Sequence, residues 1–468
     1  MRLSDIMANL PLVKEEIGAR KKIRTKLKES GKRLVVVDDD PTGTQTVHGV
    51  KVYMDWQVDR LRSALGSGES VFYISTNSRS LNPEQARELN YQLGENLKEA
   101  AHLEKRDVLI ASRSDSTLRG HFPCEVQALA GGLSRNYDGI IIAPAFFEAG
   151  RYTIDDVHWV VQGKEAVSAE HTEFAEDPTF GYKHGNLRYW VEEKTKGKVN
   201  ASDVYSVSIE VVRKGGPDAV TEELLKVSNG QPVIVNATCY RDLEVFVLGL
   251  ITAEECGKEF IYRCAASFVK VRGGFEDIPF LTCEQLKPED GPGLVVVGSY
   301  VEKTTRQLNY LLGSGLVAGI ELCVDKLLES GGREIEIQRV KNEINKKMSH
   351  GISTVVYTSR VKNVISGEDF LKIGSIIMES LCDVVRQVEV RPGFLIAKGG
   401  ITSIEIAKRA LGVAQAEVLG QVVGGVPVWR LGSESRMTGI PYVVFPGNVG
   451  DDKTLWEVTA VLQKKMEG

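Results

Sequence analysis

Long apolar runs are missing from this chain of 468 residues. No stretch approaches the roughly 18 consecutive apolar residues of a membrane-crossing helix, so no transmembrane span is expected. The first 33 residues also lack the apolar core of a secretory signal, because Asp5, Glu15, Glu16 and Glu29 interrupt them. The seven cysteines (Cys124, Cys239, Cys256, Cys264, Cys283, Cys323 and Cys382) are odd in number, irregularly spaced and never form CxxC. That pattern argues against a disulfide framework or a zinc site and for free thiols in a reducing cytosol, so the expected location is cytoplasmic. The seven histidines are scattered, without metal-ligand spacing. An excess of basic charge is absent too: 58 Lys and Arg face 63 Asp and Glu, for a net charge of -5. A nucleic-acid protein would usually carry a basic domain, so no nucleic-acid partner is expected; a local basic cleft for a small anion remains compatible. GxxxxGK[ST], HExxH and GxSxG do not occur, and Gly313-Ser314-Gly315 sits between helices rather than after a strand.

What is present is a recurring pattern: a short apolar run, a polar or glycine-containing turn, then a helix. A single core stops growing at roughly 250–300 residues, so at least two domains are expected. Leu34–Val37, Val71–Ile74, Val108–Ile110, Ile140–Ile142 and Val233–Val235 are such runs in the first half. Leu294–Val297, Thr354–Tyr357, Phe394–Ala397 and Tyr442–Phe445 follow in the second. Continuous apolar strands alternating with helices imply parallel sheets covered on both faces. The expected fold is α/β, with two domains, each a mainly parallel sheet flanked by helices, and an active-site cleft between them. The expected divisions are a solvated helical lead-in at 1–33, a first domain at 34–280 and a second at 290–468. The boundary falls in the Gly- and Pro-rich region 275–292. Thr172–Gly185 breaks the rhythm and reads as an insertion or a long surface element.

Ligands of such sheets sit outside the carboxyl ends of the strands, so the turns there carry the functional reading. In the second half Gly298, Gly399-Gly400 and Gly447 with Gly450 lie between strand and helix, with Ser299, Thr402 and Ser403 adding hydroxyls. Backbone N–H groups at helix starts favour phosphate, although the same glycines also suit tight turns alone. In the first half Asp38-Asp39-Asp40-Pro41-Thr42-Gly43 gathers three carboxylates at a strand end. Their repulsion needs a cation, a donor network or water, and magnesium or a substrate hydroxyl would serve; a solvated acidic loop is the plain alternative. Ser112–His121 combines Asp115 with Arg113, Arg119 and several hydroxyls. Arg119 has the geometry to grip a carboxylate and Asp115 to accept a hydroxyl proton. Arg79 and Arg151, on nearby turns, are further anion-binding candidates, and His48 and His121 flank the two polar turns.

At these residues the chain resembles the four-carbon acid sugar kinase family over nearly its whole length. Asp39-Asp40-Pro41-Thr42-Gly43, Asp115-Ser116-Thr117-Leu118-Arg119-Gly120, Ala143-Pro144-Ala145-Phe146 and Gly150-Arg151 match its first half, and Asn77–Ser80 matches more loosely. Gly298-Ser299, Thr304-Thr305-Arg306-Gln307, Gly399-Gly400-Ile401-Thr402 and Pro446–Gly450 match its second. Arg113-Ser114 before the Asp-Ser-Thr run and Gln45–His48 after the acidic turn depart from the family pattern and mark a divergent subgroup. The resemblance implies ATP, with Mg²⁺, in the C-terminal domain over Ser299, Gly399, Gly400, Ile401, Thr402 and Gly447. It implies a threonate-, erythronate- or oxo-tetronate-like acid in the N-terminal domain near Asp40, Thr42, Arg79, Ser116, Thr117, Arg119, Gly120 and Arg151. Asp39 or Asp115 would be the catalytic base, with Arg119 and Arg79 on the substrate carboxylate. The alternatives are a metal-dependent sugar-acid lyase or isomerase and a non-catalytic sensor of nucleotide or sugar acid. No metal-binding residue is singled out, and a homodimer is the base-rate expectation.

Overall fold

The computed structural model of the chain describes residues 2–463 except 41, 164, 300, 360–367 and 448. Pro41 and Asn448, which belong to turns noted above, therefore lie outside the described residues. The chain divides into two compact units, one of residues 1–46 and 55–277, the other of 47–54 and 278–468. It thus enters the second unit briefly at 47–54 before it does so for good.

The first unit begins with α1 (Leu3–Met7) and α2 (Ala19–Glu29), followed by β1 (Arg33–Asp38). After β2 (Val50–Tyr53), which is counted with the second unit, come α3 (Val58–Gly66), β3 (Val71–Ser75), α4 (Pro83–Glu104) and β4 (Val108–Arg113). α5 (Cys124–Leu133) leads to β5 (Gly139–Ala143), and β6 (Arg151–Ile154), β7 (Val157–Gln162) and β8 (Glu165–Ser168) pair as a small antiparallel sheet. α6 (Leu187–Lys194), β9 (Tyr205–Val207), α7 (Gly216–Leu225), β10 (Gln231–Val235), α8 (Tyr240–Glu255), β11 (Phe260–Cys264) and α9 (Ala266–Arg272) complete the unit.

The main sheet of this unit runs β3-β1-β4-β11-β5-β10-β9, and every pairing is parallel. β1, β3 and β4 are buried at every position, which is why apolar runs mark them in the sequence, and β11 is buried throughout as well although Arg263 interrupts it. α4 opens as its sequence dictates: Asn82 caps it, Pro83 takes the first turn and Gln85 closes a capping box.

Two expectations are corrected here. The lead-in is not a solvated helix, because Ala19, Ile23 and Leu27 form a stripe at four-residue spacing and are buried. Arg20 of α2 also pairs with Glu244 of α8 at 2.7 Å. Nor is Thr172–Gly185 merely a surface element: Ala175 and Tyr182 are buried, and the Tyr182 hydroxyl donates to the Thr117 carbonyl at 2.9 Å.

The second unit comprises α10 (Cys283–Leu286), β12 (Leu294–Val297), α11 (Glu302–Gly313), β13 (Ala318–Leu322), α12 (Val324–Leu328), α13 (Gly332–Ser349) and β14 (Thr354–Thr358). α14 (Glu368–Gln387), β15 (Leu395–Lys398), α15 (Gly400–Glu405), β16 (Gln415–Val423), β17 (Val426–Leu431), β18 (Pro441–Phe445) and α16 (Thr454–Leu462) follow. Its strand order is β13-β14-β12-β15-β18-β17-β16-β2. The first five strands are parallel, and the last three add in antiparallel fashion. Val295, Val297, Ile396, Val443 and Phe445 share one buried core with Leu455 and Val458 of α16. α16 begins at Thr454 rather than at Asp451 or Asp452, because Asp451 first closes a turn by accepting from the Thr454 hydroxyl and the Lys453 N–H. Among the described residues no helix is long and apolar enough to cross a membrane.

Candidate functional site

β3, β1 and β4 are neighbours, so the turns that leave their carboxyl ends come together. Arg79, from the turn after β3, ties two aspartates from the turn after β1. Its Nε and Nη2 bind both oxygens of Asp39 at 3.1 and 2.5 Å, and its Nη1 binds Asp40 at 3.0 Å. The Thr42 hydroxyl and N–H donate to the other Asp40 oxygen at 2.6 and 2.8 Å. Burial would push the Asp40 carboxyl up, but Arg79 and Thr42 outweigh it and hold it below its ordinary value. Asp38, 1% exposed, pairs with Arg113 at 3.2 Å. There burial wins over the pair, and the Asp38 carboxyl is pushed up to about 7. The acidic loop is therefore largely buried, and guanidinium groups offset its charge.

In the turn after β4, Asp115 accepts from the Thr117 hydroxyl and from Arg119 Nε, the latter at 2.7 Å. Burial opposes its charge, but Arg79, Arg119 and Thr117 together hold its carboxyl well below the carboxylate range. Arg119 also meets Asp177 at 3.5 Å and lies over the Phe174 ring. Ser116 is fixed through its carbonyl, which meets His158 Nε2 at 2.7 Å. Burial pushes His158 down to about 4, so it stays neutral near pH 7. Gly120 has φ +118, and a Cβ there would stand 3.1 Å from an Asp39 oxygen; only glycine suits this crossing. The structure thus brings Asp39, Asp40, Thr42, Arg79, Asp115, Ser116, Thr117, Arg119 and Gly120 into one group. His121 packs at its rim, with Nε2 3.0 Å from the Leu81 carbonyl.

Arg151, the first residue of β6, differs from the other arginines. Among the described residues it makes no ion pair; its Nε has no hydrogen-bond partner, and it lies over Phe174. Burial pulls its pKa down, against the pull of Asp115 and Glu173. A second such cation, Arg263 of β11, escaped the sequence reading. It is 1% exposed, with Nη2 donating to the Arg119 carbonyl at 3.2 Å and with Nε and Nη1 unpartnered. The signal that would have found it is a lone charge inside an otherwise apolar strand. Five arginines (Arg79, Arg113, Arg119, Arg151, Arg263) here face Asp38, Asp39, Asp40, Asp115, Asp177, Glu125 and Glu173, and burial has pushed Asp38 and Glu125 up to about 7.

The second unit assembles its turns differently. Gly399, with φ +125, would place a Cβ 2.8 Å from Thr402 Oγ1 and 3.2 Å from Ser299 Cβ. A Cβ on Gly447 would meet Ser299 Oγ at 3.2 Å, and one on Gly298 would meet Thr402 Oγ1 at 2.5 Å. The turns after β12, β15 and β18 therefore converge on Ser299 and Thr402, with little besides backbone and hydroxyls between them. The Thr304 hydroxyl of α11 joins them, donating to the Gly447 carbonyl at 2.8 Å. Gly400 starts α15, and the Ile401 side chain is exposed. Beneath the turns lies Lys398, fully buried, whose Nζ donates to the carbonyls of Pro446 and Gly447 at 2.5 and 3.1 Å and sits 4.0 Å above the Phe445 ring. Burial, aided by Lys303, pushes Lys398 down to about 7. The glycine cradle and the hydroxyls suit a polyphosphate, and among the described residues no group of His, Cys, Asp or Glu is arranged to hold a metal ion by itself.

Comparison with known proteins follows the same division. Residues 34–272 match a family model described as a sugar-binding N-terminal domain, and residues 294–455 match one described as a nucleotide-binding C-terminal domain. A D-erythronate kinase of Heliobacterium modesticaldum is 26% identical over 448 residues, covering 89% of this chain and 94% of its own length. Among solved structures, a Haemophilus influenzae protein of a domain family of unknown function aligns with a TM-score of 0.62 at 17% identity, over 92% of this chain and all of its own. A Salmonella typhimurium LT2 protein, described provisionally as a tRNA synthase, aligns with a TM-score of 0.67 at 15% identity, over 91% and 98%. These two likenesses are of fold alone. The pairing of a sugar-binding half with a nucleotide-binding half over the two matched regions places this chain in the four-carbon acid sugar kinase family.

Proposed function

We propose that the protein is an ATP-dependent kinase that phosphorylates a hydroxyl of a four-carbon sugar acid. The family, the D-erythronate kinase relative and the two dissimilar sites support this reading. The observation that carries the substrate class is Arg151: a half-buried guanidinium that pairs with no carboxylate among the described residues. Buried charges are normally paired, so an anionic ligand group belongs there. Arg119 and Arg79 are already engaged by Asp115 and by Asp39 with Asp40, so Arg151 replaces them as the proposed holder of the substrate carboxylate.

Asp115 is the better base. Both Asp39 oxygens bind Arg79, whereas Asp115 takes Thr117 and Arg119 on Oδ2 alone. Its Oδ1 is left to orient the substrate hydroxyl and to accept the proton as the phosphoryl bond forms. A strongly basic carboxylate is not required, since phosphoryl transfer depends mainly on positioning and charge neutralisation. Ser299, Gly399, Gly400, Ile401, Thr402 and Gly447 would hold the nucleotide phosphates, with Lys398 fixing the Pro446-Gly447 carbonyls from below. ATP, with Mg²⁺, would supply the transferable phosphoryl group. The metal-dependent lyase alternative finds less support, because guanidinium groups already neutralise the carboxylates it would use.

The test is ADP release with Mg-ATP against threonate, erythronate and their oxo forms. One acid should support release, and Arg151→Gln should raise the KM for that acid by about 100-fold, as for a lost charge-assisted contact, while leaving the KM for ATP unchanged. Release with none of these acids from folded protein would refute the substrate class.

A further inference from the structure

Arg263 poses a physical problem that the proposed reaction does not use. It occupies β11, beside Ser112 of β4 and Ile142 of β5, in the middle of the first unit's sheet. Its guanidinium stands 5.3 Å from the Trp190 ring centroid, and that ring is stacked on Phe122. One nitrogen reaches the Arg119 carbonyl, and among the described residues the other two find no acceptor. A buried cation held by a single hydrogen bond is a cost to folding. Burial lowers its pKa on balance, although Asp39 and Asp115, the carboxylates that act on it most, pull the other way. Cys264 and Arg79 also act on it. From other elements it faces Glu125 of α5, His158 of β7 and Lys194 of α6. A residue retained against the stability of its own surroundings points to a role in the site.

We propose that Arg263 is a positioning residue for the acid-binding turns: it fixes the backbone of Arg119 from behind and supplies the positive charge that faces Asp39 and Asp115. It acts through the 115–120 turn, since its own surface is closed to a ligand. This inference rests on the proposed function only for naming the reaction in which those turns act.

The experiment compares the full-length chain with Arg263→Met and Arg263→Lys, in melting temperature from about pH 3 to 8 and in ADP release across pH. In Arg263→Met the midpoint near neutral pH should be unchanged or higher, since a poorly paired buried charge is gone. Activity with the sugar acid should nevertheless fall by about 100-fold, the scale of a small misplacement of catalytic groups. The acid limb of the pH–rate profile should move to higher pH. Arg263→Lys keeps the charge, so its acid limb should coincide with the wild type even where the lost Arg119 contact lowers kcat. Full activity in Arg263→Met, or an acid limb that stays in place, would overturn the proposal.

The melting curves decide independently of turnover. Burial and Asp39 push the Glu125 carboxyl of α5 up to about 7, with Arg263 among the groups that pull it back, so its contribution is complete below its unfolded value of about 4 and is lost as pH rises through about 7. Without the Arg263 charge the Glu125 carboxyl is pushed higher still, so the midpoint must fall more steeply between about pH 5 and 8 in Arg263→Met than in the wild type. If the wild type releases no ADP with any acid, the proposed function fails, while a shifted melting curve still supports Arg263 and an unshifted one removes it. If Arg263→Met does not fold, Arg263→Lys carries the test through the same acid limb.

Discussion

The two units repeat one frame, a parallel sheet with turns at its carboxyl ends, yet they furnish those turns in opposite ways. In the first unit the turns are crowded with charged side chains that hold one another, Arg79 on Asp39 and Asp40, Arg119 on Asp115. In the second they are glycines and hydroxyls that let backbone approach backbone around Ser299 and Thr402. Side-chain charges arranged in a fixed lattice can tell one small anion from another by geometry. Backbone N–H groups and hydroxyls suit phosphates, which every nucleotide shares. The contrast is between a site that selects and a site that grips.

The contrast is broken most severely at Asp115. Asp115→Asn keeps the shape of the turn and removes the charge, so kcat should fall by about 1,000-fold, a general-base-sized loss, with ATP binding by calorimetry unchanged. A loss of ATP affinity in this variant would mean that the two sites are not separate in function. Gly399→Ala tests the other side. Its Cβ would crowd Thr402 and Ser299 at a positive φ, so ATP affinity should drop by about tenfold or more, of the size expected for 1–3 kcal/mol of backbone strain. Binding of the sugar acid should survive; its loss would contradict the division of labour.

The smallest effect is also the most symmetrical. Asp38 ends β1 and Lys398 ends β15, each is buried, and each is pushed to about 7, from opposite sides. Asp38 holds its proton longer folded than unfolded, so its contribution is complete below about pH 4 and is lost as pH rises through 7. Lys398 gives its proton up sooner folded than unfolded, so its contribution is complete above about pH 10 and is lost as pH falls through 7. Asp38→Asn should flatten melting temperature against pH on the acid side of 7 and Lys398→Met on the alkaline side, by a few degrees each. If either variant flattened the wrong side, the charge state assigned to that residue would be wrong.

Most of the frame was legible in the sequence, because strands buried on both faces must be apolar throughout and turns must be polar. Asp115–Gly120 was legible because acids, hydroxyls and a cation sit side by side along the chain. The pairing was not. Nothing in the local sequence says that Arg79 reaches Asp39 forty positions away, and the sheet order that joins them is a tertiary fact. The residues missed, Arg263 and Lys398, share one trait with Asp38 and Arg113: each is a charge at or near the last position of an apolar strand. Read one strand at a time, such a residue looks like the start of a turn. The α2 stripe was hidden because its lysines and arginines dominate the composition while only Ala19, Ile23 and Leu27 decide its packing.

The early visit of residues 47–54 to the second unit has a consequence for anyone who would divide the protein. β2 lies against β16 with Val50 opposite Val418 and Tyr53 opposite Gln415, and it closes the antiparallel end of that sheet. A fragment starting at Ile278 would carry every later strand and still expose β16 as a bare edge, open to pairing with its own kind. Its missing piece is short enough to be a peptide. Supplied from outside as residues 47–54, that strand would be expected to restore by addition what the cut removed.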